Sequence, residues 1–166
     1  MRVAVTTDHT GLAYGDRFTE FKAFLSGMGH EIVDFGPKEL NMDDDYPDFM
    51  FPAAKAVASG ECEVGIIMGG SGQGEAMAAN RIKGIRCTTF YTPALAKEPI
   101  DAEGHMSDDP YEILRLSRQH NHANMLSLSA RFLSTEEMKQ AISVWLSTPW
   151  SEVERHVRRV QKLDEV

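Results

Sequence analysis

The chain has 166 residues, 42% hydrophobic and 25% charged, which fits one soluble α/β domain and leaves two full domains cramped. A formal net charge of −8 argues against a nucleic-acid partner, because phosphate backbones demand clustered Lys and Arg, whereas a small anion needs only a few local cations. The opening apolar run is broken by Asp8 and too short for a signal peptide, and no stretch reaches the ~18–20 apolar residues of a membrane helix, so a cytoplasmic protein without membrane contact is expected.

Short apolar runs alternate with helical patterns, the rhythm of a parallel sheet covered by helices. Residues 2–7 read as a first strand and 14–28 as a helix, with Phe18, Phe21 and Leu25 on one face and Gly29 ending it. A second strand is expected at 31–35, closed by Gly36-Pro37. The acidic loop Asp43-Asp44-Asp45-Tyr46-Pro47 leads to a helix over 48–59 with proline near its start. Residues 63–68 form the clearest buried strand, followed by a glycine-rich loop at 69–74 and a helix to about 81. Strands follow at 85–90 and 124–129, and helices at 134–147 and 150–163. Residues 91–108 form an unusually long connection, of the kind that is either functional or a disordered surface insert. The sum is a single domain over 1–166, a three-layer α/β/α sandwich with about five parallel strands.

Ligands of open parallel sheets bind outside the carboxyl ends of the strands. That rule singles out the loops after each strand. Gly69-Gly70-Ser71-Gly72-Gln73-Gly74-Glu75 joins a strong strand to a helix, and its glycines allow close backbone approach and a concavity of N–H groups. The positive end of the following helix favours an anion there. The loop lacks the lysine of a P-loop and follows the third strand, where a dinucleotide fingerprint follows the first. A tight turn without a ligand explains the loop equally well by itself, and Glu75 is also an ordinary first-turn glutamate.

Asp8-His9 follows the first strand, at the binding edge. Ser117-Arg118-Gln119-His120-Asn121-His122 closes a helix before the fifth strand, where histidine is either dipole-stabilised or a proton-handling group. His120-x-His122 lacks a local carboxylate or cysteine to complete a metal set, and Cys62 and Cys87 fall in no metal-like spacing. Arg155 and Arg159, at i and i+4, share one face of the last helix and are either a phosphate clamp or a solvated surface.

Taken together, these pieces resemble the ribose-5-phosphate isomerase B family, which includes the bacterial galactose-6-phosphate isomerase subunits. The resemblance runs through Thr7-Asp8-His9, Asp45-Tyr46-Pro47, the loop Gly69–Glu75 with Ala78-Ala79-Asn80, and Gly84-Ile85-Arg86. It continues through Ser117–Asn121, Ala123-Asn124, Ala130-Arg131 and Arg155-His156-Val157-Arg158-Arg159, leaving out only 91–108. Many family members carry a cysteine base where this chain has Gly69; a subgroup carries glutamate just after the loop, and Glu75 matches it.

The resemblance implies a Rossmann-like or flavodoxin-like homodimer, with or without further pairing into a tetramer, and with active sites shared between subunits. It implies an aldose–ketose isomerase of a sugar phosphate, foremost ribose 5-phosphate, working without metal or cofactor. Glu75 would move the proton through a cis-enediolate held by the amides around Gly70, Gly72 and Gly74, with Ser71 exchanging protons with a sugar oxygen. His120 would open the sugar ring, Asn121 and Asp8 would orient hydroxyls, and Tyr46 would line the pocket. Arg155 and Arg159 would reach into the partner's pocket and hold the phosphate, helped by Arg131 and His9. A tetrose, hexose or modified pentose phosphate, or a binding role without catalysis, are the competing expectations.

Overall fold

A computed structural model of the chain describes residues 1–165. Its sheet has five strands, β1 (Arg2–Thr7), β2 (Glu31–Asp34), β3 (Val64–Gly69), β4 (Cys87–Phe90) and β5 (Met125–Ser129). They are all parallel, in the order β2-β1-β3-β5-β4. All six residues of β3 and all five of β5 are buried, which is why the central strands read as continuous apolar runs.

Side chains alternate between the two faces. Val3, Val5, Ile66, Met68, Leu126 and Leu128 join one cluster with Phe18, Phe21 and Leu25 of α2 (Arg17–Gly27), Leu114 of α5 (Glu112–Gln119) and Trp145 of α6 (Thr135–Ser147). Ala4, Ile67 and Met125 face Met50 and Ala53 of α3 (Pro47–Ala58) and Ala79 of α4 (Gln73–Ala79). Three layers result. Each large apolar side chain fully buried between them contributes roughly 1.5–3 kcal/mol against exposure.

Several boundaries depart from the sequence reading. The expected loop Thr7–Thr10 opens a short helix, α1 (His9–Ala13), because the Asp8 carboxylate accepts the Thr10 amide at 3.0 Å and caps it. The expected helix 14–28 begins only at Arg17, since Gly15 has a φ of +77° and ends the preceding turn. The fourth strand starts at Cys87, not 85: the Arg86 and Cys87 amides are held by the side chains of Asn124 and Asn80. The last helix, α7 (Glu154–Asp164), starts four residues later than expected, after an extended stretch. Residues 91–108 contain no helix or strand, but bonds such as Ala94 N–H to Pro110 O (2.9 Å) and Ile100 N–H to His105 O (2.8 Å) tie the segment together.

The connection from β1 leads to β2 on one side, while β3 lies on the other side of β1 and leads onward to β4. The strand order therefore reverses between β1 and β3, and the crevice at their carboxyl ends is where such sheets bind ligands. Asp8-His9 and Gly69–Glu75 are the two segments that leave the sheet there.

Candidate functional site

The glycine loop is shaped from outside itself. The Ser129 hydroxyl donates to the Gly70 carbonyl at 2.8 Å and the Ser127 hydroxyl to the Gly72 carbonyl at 2.7 Å. The amides of Ala130 and Arg131 donate to the carbonyls of Gly69 and Gly70 at 2.8 and 3.1 Å. In a trans peptide the N–H points opposite to the C=O. Three carbonyls turned toward β5 and the turn after it thus point the amides of Gly70, Ser71 and Gln73 the other way. The Gln73 amide donates to Ser71 Oγ at 3.3 Å. Gly72 has a φ of +76°, a conformation that side chains disfavour, and this bend starts α4.

Glu75, in the first turn of α4, is only 5% exposed, and its Oε2 is buried without a hydrogen-bond partner. Loss of hydration, followed by the Asp8 charge, pushes its pKa above the usual carboxylate range, against opposing pulls from its own backbone amide, His9 and Arg131. A buried carboxylate with a free oxygen and a raised pKa is suited to take a proton from carbon and return it.

His9, Asp8, Arg131 and Tyr46 gather around this edge. Asp44 accepts the His9 backbone amide at 2.8 Å through Oδ2 and faces ring Nδ1 at 2.6 Å through Oδ1. The hydrogen bond to Asp44 raises the His9 pKa, burial opposes it, and the Asp8 and Asp44 charges add to the rise. Asp8, His9 and Asp44 each place a potential metal-ligating atom within 4.8 Å of the others, but the Nδ1 that faces Asp44 is engaged in the hydrogen bond. Tyr46 packs against Gly74 and the Arg131 guanidinium against Gly70, so closely that a methyl at either glycine would meet them at 3.0–3.1 Å. Arg131 Nε donates to the Tyr14 hydroxyl at 3.0 Å. Tyr14, Arg17, Ala130 and Arg131 line a concavity of about 430 Å³.

The remaining expected residues stand at the opposite edge. His120 caps the C-terminus of α5 and precedes β5, whereas Glu75 follows β3. Gly65 pairs with Met125 and Gly69 with Ser129, so the length of the strands, on the order of 13 Å, separates the two edges. The His120 ring packs on His156 of α7 at 4.2 Å between centroids. Ser151 donates to the Gln119 carbonyl at 2.6 Å and lies 3.1 Å from His156 Nδ1, which ties α7 to the end of α5. Burial lowers the His156 pKa, with the neighbouring His120 second.

Asn121 is exposed beside His120, and Arg155 and Arg159 stand one turn apart on α7. Arg155 Nε donates to His156 Nε2 at 3.3 Å, and its Nη1 lies 4.0 Å from Glu103 of the long connection. His122 stacks on Trp150 at 4.0 Å, so His120 and His122 go to separate partners. A cavity of about 690 Å³ opens at this edge, walled in part by Arg81, Lys83, Arg86 and Asn121.

One chain therefore brings together Asp8, His9, Tyr46, the loop amides, Ser71, Glu75 and Arg131. It holds His120, Asn121, Arg155 and Arg159 apart from them as a second group. Sequence reasoning missed Asp44, Tyr14, Arg17, Ser127 and Ser129 as supports of the first group. Only Asp44, in an acidic run next to Asp45-Tyr46-Pro47, carried any signal.

Residues 3–103 and 109–163 match the family model described as Ribose/Galactose Isomerase. The chain belongs to the ribose/galactose isomerase family. Within that family it is similar to the ribose-5-phosphate isomerase B of Mycobacterium tuberculosis, with 33% identity over 99% of this chain and 89% of that protein. Among solved structures, the ribose-5-phosphate isomerase B of Clostridium thermocellum superposes with a TM-score of 0.82 at 33% identity, covering 99% and 96% of the two chains. That of Mycoplasma genitalium, with bound ribulose-5-phosphate, gives 0.81 at 29% identity, covering 99% and 94%. A ribose/galactose isomerase fold thus carries the site, and the chain is a sugar-phosphate isomerase in class. No helix among the described residues is long and apolar enough to cross a membrane.

Proposed function

We propose that the protein interconverts ribose 5-phosphate and ribulose 5-phosphate, with Glu75 as the base. The observation that carries this reading is the buried Glu75 carboxylate, with one oxygen unpartnered, next to the amides of the glycine loop. The relative crystallised with ribulose-5-phosphate supports the choice of sugar.

In the proposed reaction Glu75 removes the proton from the carbon beside the aldehyde and returns it to the neighbouring carbon, on one face of a cis-enediolate. Amides of the loop stabilise the developing oxyanion without reorganising, and Ser71 relays a proton to a sugar oxygen. The ring form must open first, and His120 acts there as acid and base. Asn121 and Asp8 orient hydroxyls, and Tyr46 walls the pocket. The phosphate lies far from the reacting carbons, where Arg131, His9, Arg155 and Arg159 anchor it, and this binding positions the rest. The chemistry calls for no metal or organic cofactor.

Because His120, Asn121, Arg155 and Arg159 sit at the far edge of the chain that carries Glu75, the proposed working unit is a homodimer. Each site takes its base from one copy and its ring-opening histidine and arginine clamp from the other. Further pairing of dimers is compatible with the same arrangement.

Glu75→Gln tests the assignment. Turnover should fall about 10²–10⁴-fold with ribose 5-phosphate, while KM changes only a few-fold. An equal collapse of substrate binding would assign Glu75 a structural role. One observation favours a second reading of the substrate: the long connection, of which the family model matches all but residues 104–108, brings Glu103 to Arg155. Assaying tetrose and hexose phosphates, allose and galactose phosphates included, against ribose 5-phosphate decides between the two.

A further inference from the structure

We propose that Asp44 is a positioning residue for His9: it fixes a proton on ring Nδ1 and leaves Nε2 as the atom that meets the substrate phosphate. The proposal rests on the reading of His9 as a phosphate contact given above. It concerns a residue 35 positions away in the chain, in the loop between β2 and α3.

The geometry is two-pronged. One Asp44 oxygen takes the His9 main-chain amide at 2.8 Å and the other takes the ring at 2.6 Å, so backbone and imidazole are gripped by one carboxylate. The Asp44 side chain is 7% exposed, and that of His9 is 21% exposed. An ionised carboxylate only accepts hydrogen bonds, so Nδ1 must carry hydrogen. Nε2 has no hydrogen bond to any described residue.

A histidine held in this way has two faces. Neutral, it offers a lone pair at Nε2, which repels a phosphate oxygen; charged, it offers an N–H to the same oxygen. Phosphate binding through His9 therefore requires the imidazolium.

The surrounding charges decide how readily that form persists. From the end of β1, the Asp8 carboxylate lies 3.7 Å from Nδ1, but its Oδ1 is engaged by the Thr10 amide and hydroxyl. From the turn after β5, Arg131 opposes the positive charge, and from α4 the Glu75 carboxyl interacts with His9 in the favourable sense. Asp44 makes the largest contribution, and it raises the His9 pKa. The raised value means that the charged donor persists to higher pH than in a free histidine and is lost as pH rises through the folded-state value.

Asp44→Asn separates orientation from charge. Its carboxamide oxygen can still accept the His9 amide, but its NH2 donates to Nδ1 and turns the ring into the Nε2–H tautomer. In the full-length protein, nitrogen NMR of the His9 ring should show an Nδ1–H form that titrates above free histidine. In Asp44→Asn the neutral ring should carry its hydrogen on Nε2 and titrate lower. Inorganic phosphate, used as the probe in calorimetry at neutral pH, should bind about tenfold more weakly to the variant. KM for the sugar phosphate should rise with it, kcat should stay within about threefold, and Asp44→Glu should recover part of the loss.

Unchanged His9 titration and tautomer in Asp44→Asn overturn the role of Asp44 and leave the proposed function standing. A shifted titration with unchanged phosphate affinity also overturns the proposal, and places the failure in the reading of His9 as a phosphate contact. Equal loss of kcat and affinity in both variants, without a change in the ring, would make Asp44 merely structural.

Discussion

The carboxyl group of Glu75 fills the space into which a side chain at position 69 would project: a Cβ built on Gly69 would overlap the Glu75 carboxyl atoms. Gly69 and Glu75 are thus one arrangement in two parts. The glycine is the vacancy that lets a buried carboxylate lie over the end of β3, against the loop amides. A base carried at position 69 and a base carried at position 75 compete for one volume.

Gly69→Ala should therefore act on chemistry more than on folding. With the carboxylate displaced by a methyl group, kcat should fall about 10²-fold, as sub-ångström to ångström misplacement of a catalytic group commonly costs. Steady-state kinetics beside a thermal melt will separate the two effects. Combining Gly69→Ala with Glu75→Gln should cost little more than Glu75→Gln alone, because both act on one group.

The pH dependence of kcat/KM follows from two raised pKa values. Glu75 must be ionised to act as base, and burial raises its pKa, so activity should climb with pH through a value above the ordinary carboxylate range. His9 is charged below its own raised pKa, so the alkaline limb should begin above the free-histidine value. Glu75→Gln should remove the acidic limb from its residual activity. An acidic limb at an ordinary carboxylate pKa would contradict the burial argument.

Ser127 and Ser129 hold the loop from β5. Ser127→Ala or Ser129→Ala removes one of the two donors on a loop carbonyl, leaving the Ala76 amide on Gly72 and the Arg131 amide on Gly70, and each should cost about 0.5–1.5 kcal/mol in chemical denaturation. If the loop amides support the oxyanion, both variants should also lower kcat more than they raise KM. A stability loss with unaltered kcat would confine the serines to folding.

Glu103 is the acidic neighbour of Arg155, one arginine of the proposed phosphate clamp. Removing its charge by Glu103→Gln should lower KM for a sugar phosphate a few-fold, through less competition for Arg155. Stability should change by less than about 0.5 kcal/mol, because both side chains are substantially exposed. The KM difference should shrink as salt is raised.

The layers were readable because buried parallel strands such as Val64–Gly69 are apolar runs that need no partner to be recognised. Glu75 and the loop were readable because glycines cluster where backbone must come close to something. The break of the second helix was not, since Phe18, Phe21 and Leu25 keep their spacing whether the helix starts at 14 or at 17. Asp44 stayed hidden for another reason. Its bonds to His9 cross 35 residues, and the acidic run around it looks like any solvated loop. Arg17, which donates to the carbonyls of Ala130 and Leu133 at 2.6 and 3.0 Å, lies more than 110 positions from its partners. The separation of His120 from Glu75 was implicit in chain order: one precedes its strand and the other follows its own, so a parallel sheet sends them to opposite edges.

That separation has a genetic corollary in the proposed dimer. A copy crippled at Glu75 still lends a sound His120, and a copy crippled at His120 still lends a sound Glu75. Two dead alleles mixed in equal amounts should pair at random, leave one intact site in each mixed dimer, and restore about a quarter of the normal activity. Neither allele alone, at any dose, could do so.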